Sequence, residues 1–208
     1  MSADRVRAAV AARFPAGGGP DPSGNEFVVF SKPELGLLGE DDLAAVWDLL
    51  AGALGEYAVT VHQARIQTGP ELESSGAMAE HYGVINEISR LGRPALTDPA
   101  EQALRKHFGE TLDSAPLDST RVLGGHQFLA AHPEFSPYAL GVLFANAEVT
   151  RLGPGTYAAP VKLDGDPVII LNGFHPRQLG FFTAEDTVCA FLHCSSPTDW
   201  ARLREDLI

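Results

Sequence analysis

Residues 27–50 read FVVFSKPELGLLGEDDLAAVWDLL, a short apolar run, a Lys-Pro pair and then a periodic segment. With Glu26, the apolar run is expected to form a buried strand over 26–31 that ends at Lys32-Pro33. In the periodic part Leu43, Val46, Trp47, Leu50 and Leu54 share one helical face. Its acids fall in the first turn, where the helix dipole favours negative charge. Strand followed by amphipathic helix is therefore the opening unit of the fold.

The pattern continues outward in both directions. EYAVTVHQARI (56–66) alternates, with Tyr57, Val59 and Val61 on one side, and predicts a second strand. AMAEHYGVINEISRLG (77–92) predicts a helix with Met78, Tyr82, Ile85, Ile88 and Leu91 on one stripe, and Gly92 is a natural stop. Upstream, residues 2–14 form a candidate helix with Ser2 as cap and Val6, Val10 and Phe14 four apart, and AGGGPDPSG (16–24) reads as a linker. Downstream, a helix over 98–110 is expected, with Asp98 as cap, Pro99 in the first turn and Glu101 completing a capping box.

The region 112–166 carries weaker signals. SPYALGVLFANAEV (136–149) suggests a helix or a buried strand, and LGPGTYAAPVKLDGDPVIIL (152–171) a strand, a turn at Asp164-Gly165 and a second strand. TVCAFLHCS (187–195) is a hydrophobic strand. SPTDWARLREDLI (196–208) predicts a helix with Ser196 as cap, Asp199 at the box position, and Trp200, Leu203 and Leu207 on its apolar face.

The chain has 208 residues, 45% of them hydrophobic, enough for one sizeable core or a core with an insertion. Its 27 acids outnumber 15 bases, giving a formal charge of -12. So acidic a surface repels nucleic-acid phosphate and anionic lipid, so neither is an expected partner, though a few local bases can still hold a small anion. No window approaches the ~20 apolar residues of a membrane span, and the start does not read as a signal peptide. A soluble cytoplasmic protein is expected. Cys189 and Cys194 lie five apart on one strand, hence on opposite faces, which disfavours a mutual disulfide. The histidine spacings match no metal motif, and neither a Walker A loop nor a G-x-S-x-G elbow occurs.

The order of elements resembles the nucleoside diphosphate kinases, which open with an apolar strand, a Lys-Pro pair, a helix, a second strand and a helix containing His-Tyr. The matching pieces are FVVFSKPELGLLGEDDLAAVWDLL, EYAVTVHQARIQTGPEL and MAEHYG. The likeness breaks off after residue 94 and resumes in NGFHPRQLGFFTAEDTVCAFLHCSSPTDWARLREDLI (172–208). It implies an α/β (α+β) fold: a ferredoxin-like antiparallel sheet with helices over one face, built from 26–83 and 168–208 and enlarged by an inserted mixed α/β segment at about 95–167. Residues 1–25 would be an N-terminal helix and linker, and 26–208 a single domain.

By the same resemblance Lys32 would contact phosphate, Tyr82 would match the active-site tyrosine, and Phe174 would stack on the base. Arg202 or Arg204 would bind phosphate. The partner implied is a nucleoside di- or triphosphate with Mg2+, in a homo-oligomer, and the implied reaction is phosphoryl transfer between nucleotides. The family's Asn-x-x-His-Gly-Ser-Asp, whose histidine carries the phosphoryl group, should follow the last helix, and this chain ends there. A second register offers another carrier: Pro154-Gly155-Thr156 followed by Asn172-Gly173-Phe174-His175 has nearly the family's spacing and makes His175 catalytic, although Pro176-Arg177 replace the expected Gly-Ser. Two alternatives stand beside the kinase: a non-catalytic interaction or regulatory module, and a biosynthetic enzyme reusing the fold. Each residue also has a plainer reading. Lys32 fits a solvated lysine, Tyr82 and Phe174 fit core aromatics, and His175 fits a turn before proline.

Overall fold

A computed structural model describes residues 3–15, 24–109, 117 and 120–206. Ser2, Glu110, Leu207 and most of the linker at 16–24 lie outside them. The described chain is α+β and divides into two compact units, Met1–Ser75 with Phe182–Ile208, and Gly76–Phe181.

The first unit contains α1 (Ala3–Ala11), β1 (Asn25–Phe30), a 3-10 turn (Pro33–Leu37), α2 (Glu40–Glu56), β2 (Thr60–Thr68) and α3 (Gly69–Ser75). The second contains α4 (Ala77–His81), α5 (Gly83–Leu91), α6 (Asp98–Phe108), β3 (Arg121–Gly124), α7 (Gly125–Ala131), α8 (Pro137–Asn146), β4 (Thr150–Gly153), β5 (Thr156–Leu163), β6 (Asp166–Leu171) and nearly all of α9 (His175–Phe182). The chain then completes the first unit with β7 (Val188–Ser196) and α10 (Trp200–Asp206).

In the first unit β7 lies between β1 and β2 and is antiparallel to both. β1 and β2 are therefore parallel to each other and joined through α2, which is a split β-α-β arrangement. Val188, Ala190, Leu192 and Cys194 of β7 pack into one core with Val6, Val10 and Phe14 and with Leu43, Trp47 and Leu54, so α1 and α2 cover one face of the sheet. Val6 and Val10 of α1 are buried as expected, and so is Phe14, although the helix ends at Ala11, before it. A β-bulge at His62 breaks the simple alternation of β2, so that Val61 and Ile66, five apart, both reach this core. Cys189 and Cys194 are buried free thiols, and burial pushes them up to about 12 and about 11.

In the second unit the strand order is β3-β6-β5-β4, with β3 and β6 parallel and the other pairs antiparallel. Alternate residues of β6 feed different cores. Ile169 and Leu171 pack with Ile88 of α5 and Leu104 of α6, while Val168 and Ile170 pack with Phe128 of α7 and Leu140 of α8. A strand buried on both faces reads as a continuous apolar run, as VIIL does here. Asp164 and Gly165 join β5 to β6 at φ 52 and 94, the left-handed pair that a two-residue hairpin turn requires.

Several local expectations change. Residues 168–171 belong to the second sheet, not to the one formed by β1, β2 and β7. The inserted unit runs over Gly76–Phe181, wider than 95–167, because α5, which precedes residue 95, packs with α6 on the second sheet. The helix expected over 77–92 is divided at Tyr82 (ψ 27), and Leu91 is half exposed. Thr97, not Asp98, caps α6 by accepting from Ala100 N–H, and Glu101 pairs with Arg93 at 2.6 Å instead of closing a box. Residues 137–146 are helix. Ser196 ends β7, donating its hydroxyl to the Tyr57 carbonyl at 2.6 Å, and Asp199 caps α10 by accepting from Ala201 N–H.

Trp47 is 1% exposed and meets Phe14 edge-on at 6.1 Å. Trp47→Ala should cost about 3–5 kcal/mol in urea unfolding followed by circular dichroism. Leu49→Ala on the opposite helix face, where Leu49 is 75% exposed, should stay within about 0.5 kcal/mol of the parent.

Candidate functional site

The parallel strands β3 and β6 each lead almost directly into a helix. β3 passes through Gly124-Gly125 to His126 in α7, and β6 passes through Asn172-Gly173-Phe174 to His175 at the start of α9. Both histidines therefore lie at the carboxyl end of neighbouring parallel strands, the usual position of ligand sites in α/β sheets. The two glycines bring this end against α5. A Cβ at Gly124 would sit 2.3 Å from the Ser89 carbonyl oxygen, and one at Gly125 would sit 2.9 Å from Ser89 Oγ.

Asn172 stabilises the turn beyond β6. It is fully buried at φ 48; its Oδ1 accepts from Tyr157 N–H at 2.9 Å, and its Nδ2 donates to the carbonyls of Gly155 and Ile85 at 2.9 and 3.2 Å. Its side-chain amide is thus spent within the fold.

A polar cluster forms where α5 meets α7 and α9. Ser89 Oγ lies 2.9 Å from His126 Nδ1, and His175 Nε2 lies 3.3 Å from Asn86 Oδ1. Arg90 Nε donates to the same Asn86 oxygen at 3.1 Å. The Asn86 oxygen can only accept, and the other ring nitrogen, Nδ1, lies 3.5 Å from Gln178 Oε1, so the neutral His175 ring can donate to one of these two oxygens and not to both. The rings of His126 and Tyr82 each lie 5.9 Å from that of His175, edge to face.

Burial holds both imidazoles neutral. His126 is lowered to about 4, first by desolvation and then by the charges of Arg90 and His175. His175 is lowered by desolvation, a Gln178 bond opposes the shift, and Arg90 adds to it. Ser89 and His175 are fully buried, so neither the hydroxyl nor the inner ring meets solvent directly; His126 is partly exposed.

Of the residues expected at a nucleotide site, Tyr82 and His175 share this cluster. Phe174 turns away into the core beside Phe144 and Tyr157, at 5.9 and 5.8 Å. Lys32, Arg202 and Arg204 belong to the other unit. Lys32 is exposed just before the 3-10 turn, Arg202 pairs with Asp206 at 3.6 Å and lies 5.7 Å from the Tyr57 ring centre, and Arg204 is exposed in the last turn of α10. Asn86, Ser89, Arg90 and His126 were not singled out from sequence. The detectable signal was Gly-Gly-His directly after a strand, within a region otherwise poor in pattern.

No family model, curated protein or solved structure matches the chain. Among the described residues no helix is long and apolar enough to cross a membrane, and no group of three or more His, Cys, Asp or Glu side chains is placed to hold a metal ion.

The depressed His126 pKa predicts acid sensitivity. The unfolded ring binds a proton from about pH 6.5 downward and the folded ring only near 4, so this contribution is intact above 6.5 and is lost as pH falls through that window. Allowing for the ring's partial exposure, the loss is roughly 2 kcal/mol. Urea midpoints at about pH 7.5 and about pH 4.5 should separate more in the parent than in His126→Gln; equal separations would contradict the assignment.

Proposed function

We propose that the chain is a nucleoside diphosphate kinase-like nucleotide-binding protein that carries no phosphoryl group on His175, and so acts as a binding or regulatory module. The observation that carries the reading is the split β-α-β unit of β1, α2 and β2 around β7, with exposed Lys32 directly after β1. An ammonium there is a point charge for the phosphates of a nucleoside di- or triphosphate. With no carboxylate cluster among the described residues, Mg2+ would be held chiefly by the phosphates it accompanies. Phe174 has no part in base stacking on this reading, because its ring is engaged by Phe144 and Tyr157.

The absence of transfer follows from enclosure. A phosphoryl carrier must meet the terminal phosphate in line, and His175 has no exposed surface. A second reading, with His175 as carrier, has one observation in its favour, the Tyr82 ring 5.9 Å away. It requires the cluster to open.

Incubation with labelled ATP should leave no acid-labile, base-stable label on the protein. Label that appears and is abolished by His175→Ala would replace the first reading with the second. Calorimetric titration with Mg-ADP should show binding that Lys32→Ala weakens about tenfold or more, the worth of one charged contact. Identical affinity in the variant would remove Lys32 from the site.

A further inference from the structure

We propose that the cavity between Arg121 and the β5–β6 hairpin binds a small zwitterion, a molecule with a carboxylate, an ammonium group and an apolar side chain, as a free amino acid has. The cavity lies wholly within Gly76–Phe181. The assignment is therefore independent of the nucleotide reading, which rests on Lys32.

The cavity measures about 410 Å³, inside the range of about 300–1,000 Å³ that small-molecule sites occupy. Strand pairing decides what lines it. Arg121 opens β3 opposite Val168 of β6, and Asp166, two positions before Val168, is opposite Leu163 of β5. Paired residues share a face of the sheet, and so do alternate residues of one strand. The guanidinium, one carboxylate and two apolar side chains therefore share the face that Phe128 of α7 covers. His132, directly after α7, joins them at the cavity, with Asp164 of the hairpin turn and Pro167.

The cationic wall is oriented without being neutralised. Arg121 Nη2 lies 2.7 Å from His132 Nε2, and His132 Nδ1 lies 3.2 Å from Glu134 Oε1. A guanidinium only donates and a carboxylate only accepts. The imidazole therefore accepts from Arg121 at Nε2 and donates to Glu134 from Nδ1, which uses both nitrogens of a neutral ring. The same ring packs against Phe128 and Phe135, at 4.8 and 6.4 Å between centroids. An uncharged, packed partner thus fixes one edge of the guanidinium, and its full charge remains for a carboxylate, which the planar fork matches.

The anionic wall stands apart. Strand spacing and rise put the Arg121 and Asp166 backbones roughly 8 Å from each other. No ion pair joins Arg121 to Asp164 or Asp166 among the described residues. All three are exposed, so the charged side of the cavity is open to an entering ligand. Opposite charges that line one cavity without meeting are complementary to a ligand that carries both, its carboxylate toward Arg121 and its ammonium toward the aspartates. A simple anion would also face the two carboxylates, and a simple cation the guanidinium. Leu163, Pro167 and Val168 offer the ligand's side chain an apolar surface.

The test is nuclear magnetic resonance of the histidine rings in the full chain near neutral pH. L-Leucine should move the His132 ring signals to saturation and leave those of His62, in the other unit, fixed. Isocaproate, which is leucine without its ammonium, and isoamylamine, which is leucine without its carboxylate, should each bind about tenfold more weakly or worse. Asp166→Asn should weaken leucine by a similar factor and spare isocaproate, while Arg121→Gln should weaken leucine and spare isoamylamine, with the fold of both variants checked by circular dichroism. That split between the two half-ligands separates charge recognition from a general loosening of the cavity. A His132 response to leucine no larger than that of His62 would overturn the proposal. So would isocaproate or isoamylamine binding as tightly as leucine, or an Asp166→Asn protein that binds leucine like the parent.

Discussion

The first unit depends on β7. It is paired on both edges and packed on its core face, so its backbone polar groups and its apolar side chains are satisfied together. Without it β1 and β2 have no common partner, and α1 and α2 lose most of the surface they cover. Yet the whole of Gly76–Phe181 intervenes between β2 and this strand. Such non-local pairing is slow to form, because chain closure costs entropy before the contacts repay it. An inserted segment with cores of its own can fold independently of that closure.

The second unit tolerates buried polarity through satisfied geometry. Asn172 is enclosed at a left-handed φ, but all its amide bonds are made, so the cost of burying it is offset. His126 and His175 are handled differently: each remains neutral and each has one hydrogen-bond partner on α5, Ser89 and Asn86 respectively, while His175 also faces Gln178 in its own helix. The neutral rings need no counter-charge, and Asn86 bonds both His175 and the Arg90 guanidinium.

Much of the fold was legible in the chain. The face of Leu43, Trp47 and Leu54 is the buried face of α2, and the left-handed pair Asp164-Gly165 makes the hairpin. Helix ends were read less well. Asp98 and Asp199 are both good capping residues, but the backbone selects Thr97 for α6 and Asp199 for α10 because Ser196 is engaged by the Tyr57 carbonyl. At the site, Tyr82 and His175 were visible as residues and meet in the cluster, whereas Arg90 and Ser89 looked like an ordinary polar face of a helix. Phe174 shows the reverse case, an aromatic beside a histidine whose surroundings are core.

Local periodicity and turn chemistry determine which segments are strands or helices, because the period of burial and the left-handed turn residues act over a few positions. Which strands share a sheet is a different kind of quantity. VIIL (168–171) and VCAFL (188–192) are equally apolar and equally suited to a buried strand, and only long-range packing sends one to pair with β3 and β5 and the other with β1 and β2. The same holds for the histidines: their residue types were evident from sequence, but their neutrality arises from enclosure and from Arg90, both set by the approach of α5 to Gly124 and Gly125.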